Sequence, residues 1–215
     1  MKRKAKKTVK RDSAATQERL IEAAVVVFAE HGLQGATVDQ ICEKAQVNKR
    51  MVYHYFGDKD ALYREALMRV YDAFYAIEVD LSDMLLPVDE LLQMLVTRYY
   101  DFLSKNPEFV RLISFENLNH GRVAKEMSLK GKKAQIMTAL QLALDKGKES
   151  GEFRAELDVE ELLVSIFALC FFYFSNQHTM SEILGSKTNS RTQLKKRVSH
   201  VVDLVLNGMR AESTR

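Results

Sequence analysis

Asn48, Lys49 and Arg50 stand in an order that suggests a chemistry more directly than any other part of the chain. Asn is a residue type that caps a helix by accepting from the backbone two or three positions on. Two cations directly after such a cap oppose the helix dipole, whose N-terminal end is itself positive. Cations kept where the helix disfavours them point to an acceptor outside the fold, and phosphate oxygens and guanine edges suit them. Lys59, just behind a predicted Asp58 cap, invites the same reading.

Other kinds of chemistry find little support. The five histidines at 31, 54, 120, 178 and 200 share no i, i+3 or i+4 spacing, so no metal site is expected. Cys42 and Cys170 each sit in an apolar helical pattern without a C-x-x-C, as reduced core cysteines do. Gly147-Lys148 lacks the upstream glycine and the Ser or Thr of a phosphate loop. Acidic pairs such as Glu160-Glu161 fall on solvent faces, and no nucleophile lies at a supporting distance from a base. Neither catalytic residues nor a cofactor are predicted.

A cationic helix start must be held by elements around it. Upstream, Thr37 and Gln40 have the spacing of a capping box, and Val38, Ile41, Cys42 and Ala45 follow as one apolar stripe. Gln46-Val47-Asn48 then breaks the period, so residues 37–57 read as two short helices joined by a tight turn. Before them a helix from about Ser13 or Thr16 to His31 places Leu20, Ile21, Ala24, Val25 and Phe28 on one face, with Gly32 as its stop. None of the three can bury its apolar face alone, and together they predict a three-helix helix-turn-helix domain over 13–57.

Two prolines and nine glycines in 215 residues are too few for a turn-rich β protein, so an all-α fold is expected. Amphipathic helices are predicted at about 58–79, 88–104, 107–118, 122–149, 158–178 and 190–208, the last ended by Asn207-Gly208 as a C-cap. They form a larger helical domain over 58–215. Residues 1–12 read as a disordered basic arm: the first eleven hold seven cations and no acid, which against a net charge of +3 leaves the rest of the chain at −4. No apolar h-region follows the arm, and Leu162 to Phe174, interrupted by Ser165, is short of the ~20 residues of a membrane span, so the protein is expected in the cytoplasm.

Phe28-x-x-x-Gly32, then Thr37, then Tyr53-His54-Tyr55-Phe56-x-x-Lys59-x-x-Leu62 resembles, in order and spacing, the DNA-binding domain of the TetR family of bacterial transcriptional regulators. Asn106 to Leu112 with Phe115-Glu116-Asn117 resembles the subset that includes the pyrimidine-utilisation regulator. Arg50 and Met51 depart from the common pattern, where small residues such as Gly and Thr are frequent, so the bases read should differ. The resemblance implies a dimer that binds a palindromic operator in double-stranded DNA, most often a repressor released by a small-molecule effector. It also implies that the second domain binds the effector, among helices four to eight, and pairs two copies through 158–178 and 190–208. The DNA-binding set predicted is Thr37, Asn48, Lys49, Arg50, Met51, Tyr53, His54, Tyr55 and Lys59. Lys49, Arg50 and Met51 are expected at base edges, and Thr37, Tyr55 and Lys59 on phosphates. An α-helical enzyme with an accessory nucleic-acid-binding domain is the alternative.

Overall fold

The structure is a computed structural model and describes residues 2–82, 86–127, 134–185 and 190–211, with side chains of 2–12, 78–82 and 134–135 left aside. Eleven helices are found among the described residues: α1 (Lys2–Gly35), α2 (Val38–Ala45), α3 (Lys49–Phe56), α4 (Lys59–Ser82), α5 (Val88–Lys105), α6 (Pro107–Leu118), α7 (Arg122–Glu126), α8 (Ala134–Glu149), α9 (Val159–Ser175), α10 (Gln177–Leu184) and α11 (Arg191–Met209). The only β pairing among these residues is an isolated bridge between Phe153 and Arg210. The all-α expectation holds.

Several boundaries differ from the sequence reading. The backbone of α1 is helical from Lys2, so the arm expected to be disordered continues the first helix; Lys, Arg and Ala are good helix formers, and extension needs no new nucleus. The helix expected over 122–149 is divided into α7 and α8, with 128–133 outside the described residues. The one expected over 158–178 breaks at Asn176, whose side chain donates to the Phe172 carbonyl. Asn207-Gly208 does not end α11, which runs to Met209; the Asn207 amide donates to Asp203 one turn back and supports the helix instead. The expected break over 185–190 lies mostly outside the described residues.

The chain divides into two compact units, Met1–Asp72 with Arg111–Ser128, and Ala73–Val110 with Leu129–Arg215. The division therefore falls inside α4 and not at Asp58, because α6 and α7 return to the first helices. Gly32, at φ +66°, interrupts α1, and a Cβ there would sit 3.0 Å from the Phe115 ring of α6. Beside it Tyr63 of α4 donates its hydroxyl to the Glu116 carboxylate at 3.1 Å. Glu116 is 2% exposed, and its other oxygen accepts from the N–H groups of Val123 and Ala124 at 2.7 and 3.0 Å, which caps α7. Burial, with the Glu116 charge second, raises the Tyr63 hydroxyl above its ordinary range. Phe28 meets the Tyr63 ring edge-on at 5.0 Å, and Leu20, Ile41, Val52 and Leu62 complete the apolar centre.

The second unit is built around aromatic rings. Phe74 stacks on Tyr99 at 5.3 Å and on Phe109 at 5.0 Å, and meets Phe102 and Phe167 near 5.4 Å in tilted arrangements. Leu91, Leu92, Leu95 and Val96 of α5 and Val201, Val202 and Val205 of α11 are buried alongside. Cys170 is fully buried, and desolvation pushes its thiol up to about 12, as for an unreactive core cysteine. Gly147 of α8 is there for space: a Cβ at this position would lie 1.9 Å from the buried Phe153 ring. Gly→Ala inside a helix ordinarily gains up to about 1 kcal/mol. Here Gly147→Ala should instead destabilise by about 1–3 kcal/mol through overpacking, read as a lower midpoint in urea unfolding.

Candidate nucleic-acid interface

The predicted capping residues build the helix-turn-helix. Thr37 accepts from the Gln40 N–H at 3.2 Å while the Gln40 side chain accepts from the Thr37 N–H at 2.8 Å, closing the capping box. Ile41, Cys42 and Ala45 turn α2 inward, and Gln46 at φ +53° ends it. Asn48 accepts from the Arg50 N–H at 2.9 Å and starts α3. Val52 is fully buried, which fixes the rotation of α3 about its axis. The exposed face therefore carries Lys49, Arg50, Tyr53 and His54, with Tyr53 half exposed although it could have packed inward. Met51 and Tyr55 are half-buried at the flank, and the Tyr55 ring lies 4.9 Å from that of His54.

Two of the predicted cations have acceptors within the protein. The Lys59 ammonium donates to the carbonyls of Leu33 and Ala36 at 2.8 and 2.9 Å, so it serves the carbonyl end of α1. A cation unfavourable for the helix it starts is favourable for the helix it closes. Lys49 is paired with Asp39 of α2 at 2.8 Å, and this bond raises the pKa of its ammonium. Asp39 was not among the predicted residues. Its position in the first turn of α2 accounts for it as a dipole partner, and only the fold brings it to a lysine ten positions on. Glu116 was named only as part of the Phe115-Glu116-Asn117 resemblance, and its burial was missed for a similar reason, although its i+4 spacing from the buried Leu112 puts it on the inward face.

On this face the Lys49 charge is balanced by Asp39, and Arg50 is held by no carboxylate among the described residues. Arg and Lys on an exposed helix face narrow enough for a major groove can donate to guanine O6 and N7, and Tyr and His can donate to phosphate. Elsewhere, a cleft of about 350 Å³ lies among Arg19, Glu22, Val26 and Lys44 in the first unit, and one of about 300 Å³ among Pro87, Lys146, Phe153 and Leu206 in the second. Among the described residues no group of three or more His, Cys, Asp or Glu could hold a metal ion. No single helix among them is long and apolar enough to cross a membrane; α9 and α10 reach that length only together, bent by 74°.

Known proteins resemble this chain in sequence and fold. Residues 20–66 match the family model described as bacterial regulatory proteins, tetR family, and residues 87–205 match the one described as tetracyclin repressor-like, C-terminal domain. The HTH-type transcriptional repressor NicS of Pseudomonas putida is 32% identical over 196 residues, covering 91% of this chain and 92% of NicS. The HTH-type transcriptional regulator RutR of Escherichia coli is 24% identical over 212 residues, covering 95% of this chain and 96% of RutR. The solved structure of the ketosteroid transcriptional regulator KstR2 of Mycobacterium tuberculosis has the same fold, with a TM-score of 0.67 at 22% identity, covering 91% of this chain and 95% of that one.

Proposed function

The chain belongs to the TetR family of bacterial transcriptional regulators, and from that premise we propose that it is a cytoplasmic, non-enzymatic, dimeric repressor that a small-molecule effector releases from a palindromic operator. The observation that carries this reading is the exposed face of α3, where Lys49, Arg50, Tyr53 and His54 stand together opposite the buried Val52. Each copy inserts α3 into a major groove, with Arg50 and Lys49 at base edges, Met51 beside them, and Thr37, Tyr53, His54 and Tyr55 available to phosphates. Asn48 acts through its cap. Lys59 holds the end of α1 in place and so orients the turn, with its remaining hydrogen directed to a phosphate.

Dimerisation follows from what α9 leaves uncovered. Val164, Ala168 and Phe172 recur every fourth residue on its exposed side, and Leu204 of α11 is also exposed. A second copy paired through α9 and α11 covers them and sets two α3 helices about one turn of DNA apart. An effector taken up by the second unit, where Phe74, Tyr99, Phe109 and Phe167 would have to part to admit it, changes that separation and weakens binding by a coupling of ~1–3 kcal/mol. An effector that instead competed directly at residues 37–59 would sink the two-site reading.

Selection of bound duplexes from a random pool should yield an inverted repeat with half-sites about one helical turn apart. Arg50→Ala should then relax preference at one or two positions per half-site, at about 1–3 kcal/mol for each bidentate hydrogen-bond pair removed. A uniform, sequence-independent weakening would leave Arg50 as a phosphate ligand only.

A further inference from the structure

Lys49 is an unusual residue to find on a groove-reading helix, because its charge is already engaged. Its Nζ lies 2.8 Å from Asp39 Oδ1 and 3.0 Å from Oδ2, so it holds both carboxylate oxygens. The pair is not buried: the Asp39 side chain is 73% exposed and that of Lys49 48%. It bridges the first turn of α2 to the first turn of α3, beside the exposed face described above.

A carboxylate at a DNA-facing surface is repelled by phosphates, and it also cancels the sequence-independent attraction that Lys49 would otherwise supply. A regulator that needed only affinity would gain by losing it. The chemistry of a paired donor and acceptor has, however, a specific complement in the major groove. A G·C pair presents guanine O6 and N7 as acceptors, and next to O6 it presents the cytosine N4 amino group as a donor. An ammonium and a carboxylate held side by side match that edge: the ammonium donates to guanine and the carboxylate accepts from cytosine. A·T offers adenine N7 beside the N6 amino group with thymine O4 beyond, which places acceptor and donor differently and adds a methyl group.

We propose that Asp39 and Lys49 act as one unit that reads a G·C base pair in each half-site, with Asp39 accepting from the cytosine amino group and Lys49 donating to the guanine. This rests on the reading of α3 as the groove-reading helix. Asp39 is thus a specificity-determining residue in its own right, and its negative charge lowers affinity for every duplex that cannot offer the cytosine donor. Lys49 exchanges one carboxylate oxygen for guanine when the right pair is present. With any other pair it stays bound to Asp39.

The test compares the duplexes selected by the wild-type chain, Asp39→Ala and Lys49→Ala, together with their affinities for one selected duplex and for a scrambled duplex of equal length across a salt series. The two substitutions should erase preference for G·C at the same position, by about tenfold, and the double variant should lose no more at that position than either alone. Asp39→Ala alone should bind the scrambled duplex more tightly, with a salt slope steeper by about 0.9 per subunit as each freed Lys49 takes a phosphate. That rise should vanish when Lys49→Ala is added. Because both side chains are exposed, thermal melts of the variants should stay close to that of the wild type, and the comparison of positions is internal to each variant. An Asp39→Ala protein with an unchanged selected sequence, or one that loses preference at a position Lys49→Ala does not touch, overturns the paired reading while leaving α3 in the groove. A wild-type chain that selects no sequence overturns the groove assignment itself.

Discussion

A Phe172→Glu chain should sediment as a monomer of 24.6 kDa at micromolar concentration, and the wild-type chain, if paired as proposed, at twice that mass. Phe172 is 55% exposed and Val164, two turns earlier on the same side of α9, is 59% exposed. A carboxylate on that side costs the single folded chain little, since water reaches it. In a two-fold interface the substitution appears twice, and desolvating a carboxylate costs several kcal/mol for each ion. Two of them exceed what a dimer dissociating in the nanomolar range can absorb, because a thousandfold rise in the dissociation constant needs only about 4 kcal/mol. Operator affinity should fall with it by about a hundred- to ten-thousandfold, since each half-site must then be held without its neighbour. Leu118→Glu is the control: Leu118 is more exposed still, at 75%, but lies on α6 outside the proposed interface. A Phe172→Glu chain that kept the mass of two, or an equal effect of Leu118→Glu, would remove α9 from the interface.

What could be read from the sequence was what neighbouring residues decide among themselves. Thr37 with Gln40, Asn48 with Arg50, and Asp58 with the start of α4 are caps formed within three positions, and each is present as the spacing implied. Gly32 marked the end of a helix because a positive φ suits glycine, and the structure adds that the Phe115 ring leaves no room for a side chain there. The exposed face of α3 was legible for the same reason: eight residues with one fully buried, Val52, leave little freedom in which side points out.

What was not legible depends on distant partners. Lys49 and Lys59, as cations behind helix caps, do find acceptors elsewhere, but those acceptors lie inside the protein. Lys59 reaches the carbonyls of Leu33 and Ala36, more than twenty positions away, and Lys49 reaches Asp39. Nothing local distinguishes a helix terminus from a phosphate as the acceptor, since both are oxygens with partial or full negative charge. The division into compact units inside α4 was likewise out of local reach, because Phe115 and Glu116 in α6 pack with the first helices from far along the chain. The breaks inside the long apolar runs were invisible to periodicity, which continues through Asn176.

The arm carries the other large expectation. Lys2–Lys6, Arg3–Lys7, Lys6–Lys10 and Lys7–Arg11 are like charges four positions apart in the sequence, a spacing unfavourable to an isolated helix. Each such pair opposes the free helix by roughly 0.2–0.5 kcal/mol, so a helical arm gains from any polyanion that neutralises it. DNA beside α3 is such a polyanion. The arm should therefore track the phosphate backbone or enter the minor groove, adding affinity with little choice of sequence. Each phosphate neutralised contributes about −0.9 to the slope of log K against log salt, so a chain lacking residues 2–11 should show a slope flatter by roughly 4–6 units per arm, and about twice that for a dimer with both arms on the operator, if most of the seven cations in each are engaged. Its operator affinity at low salt should fall by several orders of magnitude, while the bases selected through Lys49 and Arg50 stay the same. A tail that serves only solubility would leave both slope and affinity unchanged in the truncated chain. A truncation that altered the selected bases would instead place part of the readout in the arm, and measuring slopes and selected sequences on the same pair of proteins separates the three outcomes.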